Sequence, residues 1–291
     1  VWAPRALEVH VCGDFNAWRR DAASLLVRHG DGRWTGFVAG AIDGHHYKFY
    51  IVGAGSEGFK RDPYARDLTH TWPDPACVLR SATSFPWQDH DWHPPAFHDL
   101  IVYQLHIGTW YGPHRDHRVA TFLDVLDRIE YLAALGVNAI EPLPIVEYST
   151  PRSMGYNGSD LFSPEMDYEV VPDDPELDRY LALANRLLNQ KGRATLTRSV
   201  LAIGVNQMKA LVDICHLYGI AVILDVVYNH ASGDVAGQPE SLYFFDRATG
   251  HDPNDSLYFT EQDHTGPVFA FWKNEVRQFL IDNATFFADE Y

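Results

Sequence analysis

Two kinds of hydrophobic pattern divide this chain. Over the first 80 or so residues, apolar and polar positions alternate in short segments at 7–11, 32–38 and 45–52, with Gly, Asp and Asn between them. Period-two alternation cut by turn residues predicts half-buried strands, and so a small β-sandwich. From Leu100 the period changes. LIVYQLHIG reads as a short apolar strand, after which Phe122, Val125, Leu126, Ile129, Leu132 and Leu135 recur at the spacing of one helix face. Thr121 is placed to cap that helix and Gly136 to stop it, and VNAIEPLP starts the next strand at once. The same order returns with Val205, Met208, Leu211, Val212 and Cys215, then Gly219, then IAVILDVV. A third helix carries Val276, Phe279, Leu280, Ala284, Phe287 and Tyr291. Helix, glycine and unbroken apolar strand is the pattern of a parallel sheet covered on both faces, with right-handed crossovers. The class is α/β behind a sandwich.

Between the two parts, residues 81–98 are rich in Pro, His and aromatics without a period, and read as a connecting segment. The histidines there and in HRDH at 114–117 have no spacing that aims them at one metal. The connection after the second strand reads as a long loop over 143–203.

Composition removes several classes. Hydrophobic residues are 46% and charged residues 21%, which suits a globular chain with a substantial core. Asp and Glu number 39 against 23 Lys and Arg, a net charge of −16, so nucleic acid is not expected as a partner. Cys12, Cys77 and Cys215 are scattered and suggest neither a disulfide framework nor a zinc site, so a reducing, cytoplasmic setting is expected. No apolar run approaches the ~20 residues that span a bilayer, so no membrane partner is expected.

Candidate chemistry gathers at strand ends, where parallel α/β folds place their sites. The run AVILDVVYNH at 221–230 sets Asp225 inside aliphatics and ends in Asn229 and His230. A carboxylate there requires a donor partner. In SMGYNGSDLFSPEMDY, Gly155 and Gly158 let the chain turn tightly around Tyr156. A presented ring beside a histidine and a carboxylate suits a sugar, which offers an apolar face and hydroxyls. On the residues alone, a packed loop aromatic and a satisfied strand-end histidine are equal alternatives.

DVVYNH after an aliphatic run resembles the first signature region of the α-amylase superfamily of glycoside hydrolases. GVNAIEPLP resembles that family's second barrel strand, and SMGYNG its tyrosine-bearing loop. GDFNAW, with HHYKFYI and RDPYA, resembles the immunoglobulin-like, starch- and glycogen-binding sandwich that precedes the barrel in branching, debranching and trehalose-releasing members. The resemblance covers essentially the whole chain. It implies that sandwich over 1–80, a linker over 81–98, and the first three βα units of an incomplete (β/α)8 TIM barrel over 99–291. It also implies that Tyr156 stacks on the glucose at the cleavage subsite, that His230 bonds a hydroxyl of it, and that Asp225 pairs with an arginine on the following strand. Trp18, Lys48 and Phe59 align with glucan-contacting positions of the sandwich. Core packing stays open for Trp18 and is expected of Trp34. Asn229 matches a calcium-binding position of many amylases, but further ligands are not evident over 231–273. No cofactor is therefore expected, with calcium the weaker alternative.

The implied chemistry is retaining glycosyl transfer through a carboxylate nucleophile and a second carboxyl as acid and base. In the family these acids lie on later strands, so no catalytic residue is assigned, and Glu141, Glu147 and Asp160 read as polar loop groups. The implied activity is that of a branching-enzyme-like transglycosidase on an α-glucan partner. Amylase, debranching and maltooligosyl trehalohydrolase activities are alternatives, and a non-catalytic glucan-binding protein is a reading of another class. On the enzyme reading, the frame is expected to continue past Tyr291 into a strand carrying Arg-x-Asp, and these 291 residues alone to be inactive.

Overall fold

A computed structural model describes all residues except 54–56, 72–73, 82–84, 111–117, 151, 233–256 and 263–265. The HRDH histidines and most of the 231–273 segment therefore lie outside the described residues. In chain order the strands and helices are β1 (Glu8–Gly13), β2 (Val27–Arg28), β3 (Trp34–Thr35), β4 (His46–Val52), β5 (Glu57–Lys60), β6 (Cys77–Val78) and β7 (Val102–Leu105). Then come α1 (Phe122–Leu126), α2 (Ile129–Leu135), β8 (Ala139–Pro142), β9 (Val146–Tyr148), β10 (Gly158–Pro164), α3 (Glu176–Gln190), α4 (Arg198–Leu201) and α5 (Gly204–Leu217). β11 (Ala221–Val222), β12 (Phe259–Gln262), β13 (Pro267–Phe269) and α6 (Asn274–Glu290) close the order. These elements group into two compact units.

The first unit comprises Val1–Ser81, Val146–Ser163 and Val227–Phe286. Its main sheet pairs β1 with β4 in antiparallel register, Glu8 opposite Val52 and Gly13 opposite Tyr47, while β5 and β6 also pair with β4. In β4 Tyr47, Phe49 and Ile51 are buried as the alternation predicts, but Lys48 between them is buried as well. The segment before the β2–β3 ribbon joins β1 through Val11 N to Ser24 O and Leu26 N to Val9 O. The strand expected over 32–38 shrinks to Trp34–Thr35, beginning after Gly32, which turns at φ +82°. Trp34 is core, as its sequence position suggested, and its Nε1 donates to Ala3 O at 2.9 Å.

The GDFNAW stretch is a turn built from its own polar groups. Gly13 N donates to Asn16 Oδ1, Asn16 Nδ2 donates to Val11 O, and His46 N donates to Asp14 Oδ2. Gly13 is needed for room, since a Cβ there would lie 2.4 Å from His46 O.

The second unit comprises Ala82–Ile145, Pro164–Val226 and Phe287–Tyr291. Its sheet is parallel with order β11-β8-β7, Val102 and Ala221 flanking Ala139. Sequence-adjacent strands are neighbours and helices intervene, as the helix–glycine–strand pattern predicts. Gly136 and Gly219 follow their helices at φ +87° and +78°, the left-handed geometry that ends a helix without a Cβ penalty. α5 is buried at every position from Val205 to Cys215.

Four expectations are corrected. The helix over 122–135 is two helices, because Arg128 leaves the helical region at φ −122° and ψ 5°. The span 143–203 is not a loop: it holds β9, β10, α3 and α4, and α3 buries Leu177, Tyr180, Ala184, Leu187 and Leu188 at helical spacing. The strand expected over IAVILDVV forms a ladder only at Ala221–Val222. Ala221 N and Ile223 N donate to Asn138 O and Ile140 O, and the next rung needs an N–H from residue 142, which is proline. The fourth follows from the third. Asp225 lies past the ladder's end and is half-buried, between Ile223 and Val226 that are 36% and 38% exposed, so it is not enclosed in a dry strand.

Two outcomes test this packing. Gly13→Ala must push the β4 backbone away, and is expected to cost about 2–3 kcal/mol in denaturant unfolding; an unchanged midpoint would show that the turn is loose. Asp213, on α5, takes Gln88 N at 2.8 Å on Oδ1, and its Oδ2 has no hydrogen-bond partner among the described residues. Burial raises its pKa from 3.8 to about 6, opposed by the Gln88 bond, with Asp89 raising it further and His90 lowering it. A raised folded pKa means that the folded chain holds this proton more tightly. Its stabilisation is complete below pH 3.8 and is lost as pH rises through about 6. The stability of the wild type relative to Asp213→Asn should therefore fall by about 2 kcal/mol from pH 4 to pH 7.5. A pH-independent difference would rule this out.

Candidate functional site

Within the first unit, β9 and β10 pair, and the turn between them carries Tyr156. Gly155 adopts φ +88°, which bends the chain, and Gly158 leaves room for Val146, whose Cγ2 would lie 2.7 Å from a Cβ. The Ser153 hydroxyl accepts from Gly155 N at 2.9 Å and pairs with Asn157 Oδ1, so the turn is braced from inside. Tyr156 is 44% exposed. A ring presented on a braced turn is a stacking surface with little conformational entropy left to lose.

His230 reaches this turn. Its Nε2 lies 2.8 Å from Tyr156 O, and only an N–H can bond a carbonyl, so Nε2 carries the proton. Nδ1 faces Asn229 Nδ2 at 3.4 Å and accepts from it. Ser232 N donates to Gly158 O at 3.0 Å, so 230–232 closes the turn along its length. Tyr228 of the same motif donates its hydroxyl to Asn283 Oδ1 at 2.8 Å, and burial pushes its pKa up to about 12, which keeps it a donor. The structure thus brings the His230 ring to the backbone of Tyr156. Asp225 belongs to the second unit.

Both feet of the Tyr156 turn are held by residues of the sandwich segment. Arg61 Nε and Nη2 donate to Asp160 Oδ1 and Oδ2 at 2.9 and 3.1 Å, with both side chains under 5% exposed. Ser159 Oγ donates to Asp160 Oδ2 at 2.9 Å. On the other foot, Thr71 Oγ1 donates to Glu147 Oε1 at 2.5 Å, and Glu147 is buried. Ser163 Oγ donates to Ala65 O at 2.8 Å, and Tyr64 packs on Phe162 with ring centroids 4.7 Å apart. Glu147 and Asp160 are therefore not polar loop groups but buried anchors. Sequence reasoning missed Arg61 and Thr71; the only available signal was the arginine opening RDPYA.

The sandwich's own candidates separate. Trp18, at φ +59°, donates Nε1 to Asp14 Oδ1 and meets Phe59 edge-on at 6.1 Å, while Tyr50 meets Phe59 at 5.0 Å. Phe59 is 42% exposed and Trp18 is half-buried, so an aromatic platform faces outward. Lys48 is 7% exposed, and its ammonium bonds Asp74 Oδ1 at 2.6 Å. Asn229, the calcium candidate, accepts from Phe269 N through its backbone carbonyl, and no group of three or more His, Cys, Asp or Glu suited to a metal occurs among the described residues. No helix there is long and apolar enough to cross a membrane.

Comparison with known proteins gives three findings. Residues 1–65 match the family described as carbohydrate-binding module 48, the isoamylase N-terminal domain. The whole chain aligns with 1,4-α-glucan branching enzymes: it is 31% identical to that of Salinibacter ruber and 30% to that of Bacillus caldolyticus, over 42% and 39% of those enzymes. The whole chain also superposes on the pullulanase of Bacillus acidopullulyticus, with TM-score 0.71 and 19% identity over 35% of that chain. The GBS pullulanase SAP, solved with maltotetraose, gives TM-score 0.70 and 20% identity over 38% of its chain. The chain spans about two fifths of the length of its curated relatives.

Proposed function

We propose that the chain belongs to the α-amylase superfamily and forms the glucan-holding part of a 1,4-α-glucan branching enzyme, a reading supported by the module matched over residues 1–65 and by the full-length alignment with branching enzymes. The observation that carries the reading is the braced Tyr156 turn closed by His230, in a chain aligned along its full length with branching enzymes. Tyr156 offers its ring to the apolar face of one glucose, and His230 exchanges its bond between the Tyr156 carbonyl and a sugar hydroxyl. Trp18 and Phe59 supply a second stacking surface for the polymer. Lys48 acts there through Asp74, as a support of the sheet, and not as a free donor. The parallel sheet of β7, β8 and β11 is the start of a (β/α)8 barrel.

The carboxylates closest to the turn have other work. Asp160 is bonded by Arg61 and Ser159, and Glu147 by Thr71, which leaves neither free as nucleophile or acid. Retaining transfer needs two carboxyl groups near the scissile bond, and we assign neither to these residues. A glucan is neutral, so its recognition by this acidic chain rests on stacking and hydrogen bonds.

The test is maltoheptaose titration of the chain followed by tyrosine and tryptophan fluorescence, together with electrophoresis in glycogen gels. Tyr156→Ala should weaken maltoheptaose about tenfold, one stacked ring being worth about 1.4 kcal/mol. Trp18→Ala and Phe59→Ala should instead reduce retardation by glycogen. Absence of binding by the wild-type chain in both assays sinks the reading. Binding lost only in the platform variants would favour a glucan-binding module without a sugar site at Tyr156.

A further inference from the structure

We propose that Arg61 is a positioning residue for the Tyr156 turn. Through its two-pronged bond to Asp160, the sandwich segment sets the conformation in which the ring is presented to a glucan; the ligand in this statement rests on the function proposed above.

The argument begins with what a buried ion pair is good for. Arg61 and Asp160 stand 99 residues apart in sequence and are both enclosed. Burying two charges brings little net stability compared with an apolar pair of the same size, so its value lies in defining one geometry. A guanidinium fork does that better than a point charge. With Nε on Oδ1 and Nη2 on Oδ2, it fixes the plane of the carboxylate as well as its distance. Ser159 takes a further lone pair of Oδ2, so Asp160 has one satisfied orientation.

That orientation is relayed over a short path. Asp160 is four residues from Tyr156 on the strand that leaves the turn. Between them, Gly158 O receives Ser232 N, and Tyr156 O receives His230 Nε2. Displacing β10 lengthens and weakens both bonds, which now sit near their optimum at 3.0 and 2.8 Å. The second foot is pinned in the same way by Thr71 on Glu147, so slack at Asp160 is not absorbed by sliding of the hairpin. Tyr156 is therefore presented by a turn whose two ends are tied to the sandwich and whose middle is tied to 230–232.

The test separates positioning from mere stabilisation, and separates both from the sugar reading. Arg61→Lys keeps the charge and loses the fork. Arg61→Met combined with Asp160→Leu removes both charges and keeps apolar volume, so that folding is retained if the lysine variant is unstable. Arg80→Lys is the control, because Arg80 pairs with Asp67 elsewhere in the sandwich segment. Hydrogen exchange of the Ser232 and Gly155 amides reports on the turn without any sugar, and maltoheptaose titration reports on ring presentation. In the folded Arg61 variants, exchange at these amides should quicken by about tenfold or more while protection in β4 stays unchanged. The maltoheptaose Kd should rise about fivefold or more. The Arg80 control should leave both readouts alone. Unchanged exchange overturns the proposal, and so does faster exchange with an unchanged Kd. Faster exchange in variants of a wild-type chain that binds no maltoheptaose would keep Arg61 as the holder of the turn and remove the sugar from it.

Discussion

Taking a carboxylate out of water costs several kcal/mol unless donors replace its hydration. Asp160 is enclosed, and Arg61 and Ser159 supply three donors to it. The same constraint recurs at other buried acids among the described residues. Asp124 is fully enclosed on α1 and takes two bonds from Arg118, one from Tyr180 and one from Thr121 N. Arg80 holds Asp67, and Lys209 holds Glu290. With 39 acids against 23 Lys and Arg, donors are the scarcer partners, so where a buried acid lies decides which distant segments must meet. In the first unit that meeting ties the hairpin of β9 and β10 to the sandwich segment, and the candidate sugar turn is the loop of that hairpin.

The parts of the fold legible in the sequence are those whose cause is local. Period-two alternation located β1 and β4, and glycines 136 and 219 located the helix ends through their positive φ. The residues of the turn around Tyr156 were also legible, since Gly155 bends the chain at φ +88° and Gly158 leaves room for Val146. α3 was legible as well but overlooked: Leu177, Tyr180, Ala184, Leu187 and Leu188 form a helical stripe in a stretch read as loop. Other features depend on a partner strand and have no local cause. The short β11 is the clearest case. Nothing in IAVILDVV stops a ladder, and Pro142 on the neighbouring strand does. The Arg61 to Asp160 bond was illegible for the same reason, because its two halves lie 99 residues apart.

Motif residues divide between shape and contact once their partners are known. In GDFNAW, Gly13, Asp14 and Asn16 are consumed in building the turn, which throws Trp18 to φ +59° and against Phe59. In DVVYNH, Tyr228 is committed to Asn283, while His230 closes the Tyr156 turn. Lys48 aligns with a contact position yet spends its ammonium on Asp74. A motif therefore marks a neighbourhood, and only the hydrogen-bond partners say which of its members face a ligand.

This division also bears on what kind of ligand the first unit can hold. Several of its described cations are engaged in internal pairs: Arg20 with Glu57, Arg33 with Asp31, Lys48 with Asp74, Arg61 with Asp160 and Arg80 with Asp67. What remains presented at the two candidate surfaces is ring: Tyr156 at 44% exposure and Phe59 at 42%, with Trp18 beside it. An anionic ligand would meet a chain of net charge −16, in which several cations are already paired with acids. A neutral polysaccharide pays no such repulsion, and its pyranose faces match aromatic rings in size and polarity. The charge balance, which at the level of composition only argued against nucleic acid, agrees with the neutral sugar polymer proposed above as the ligand of the turn.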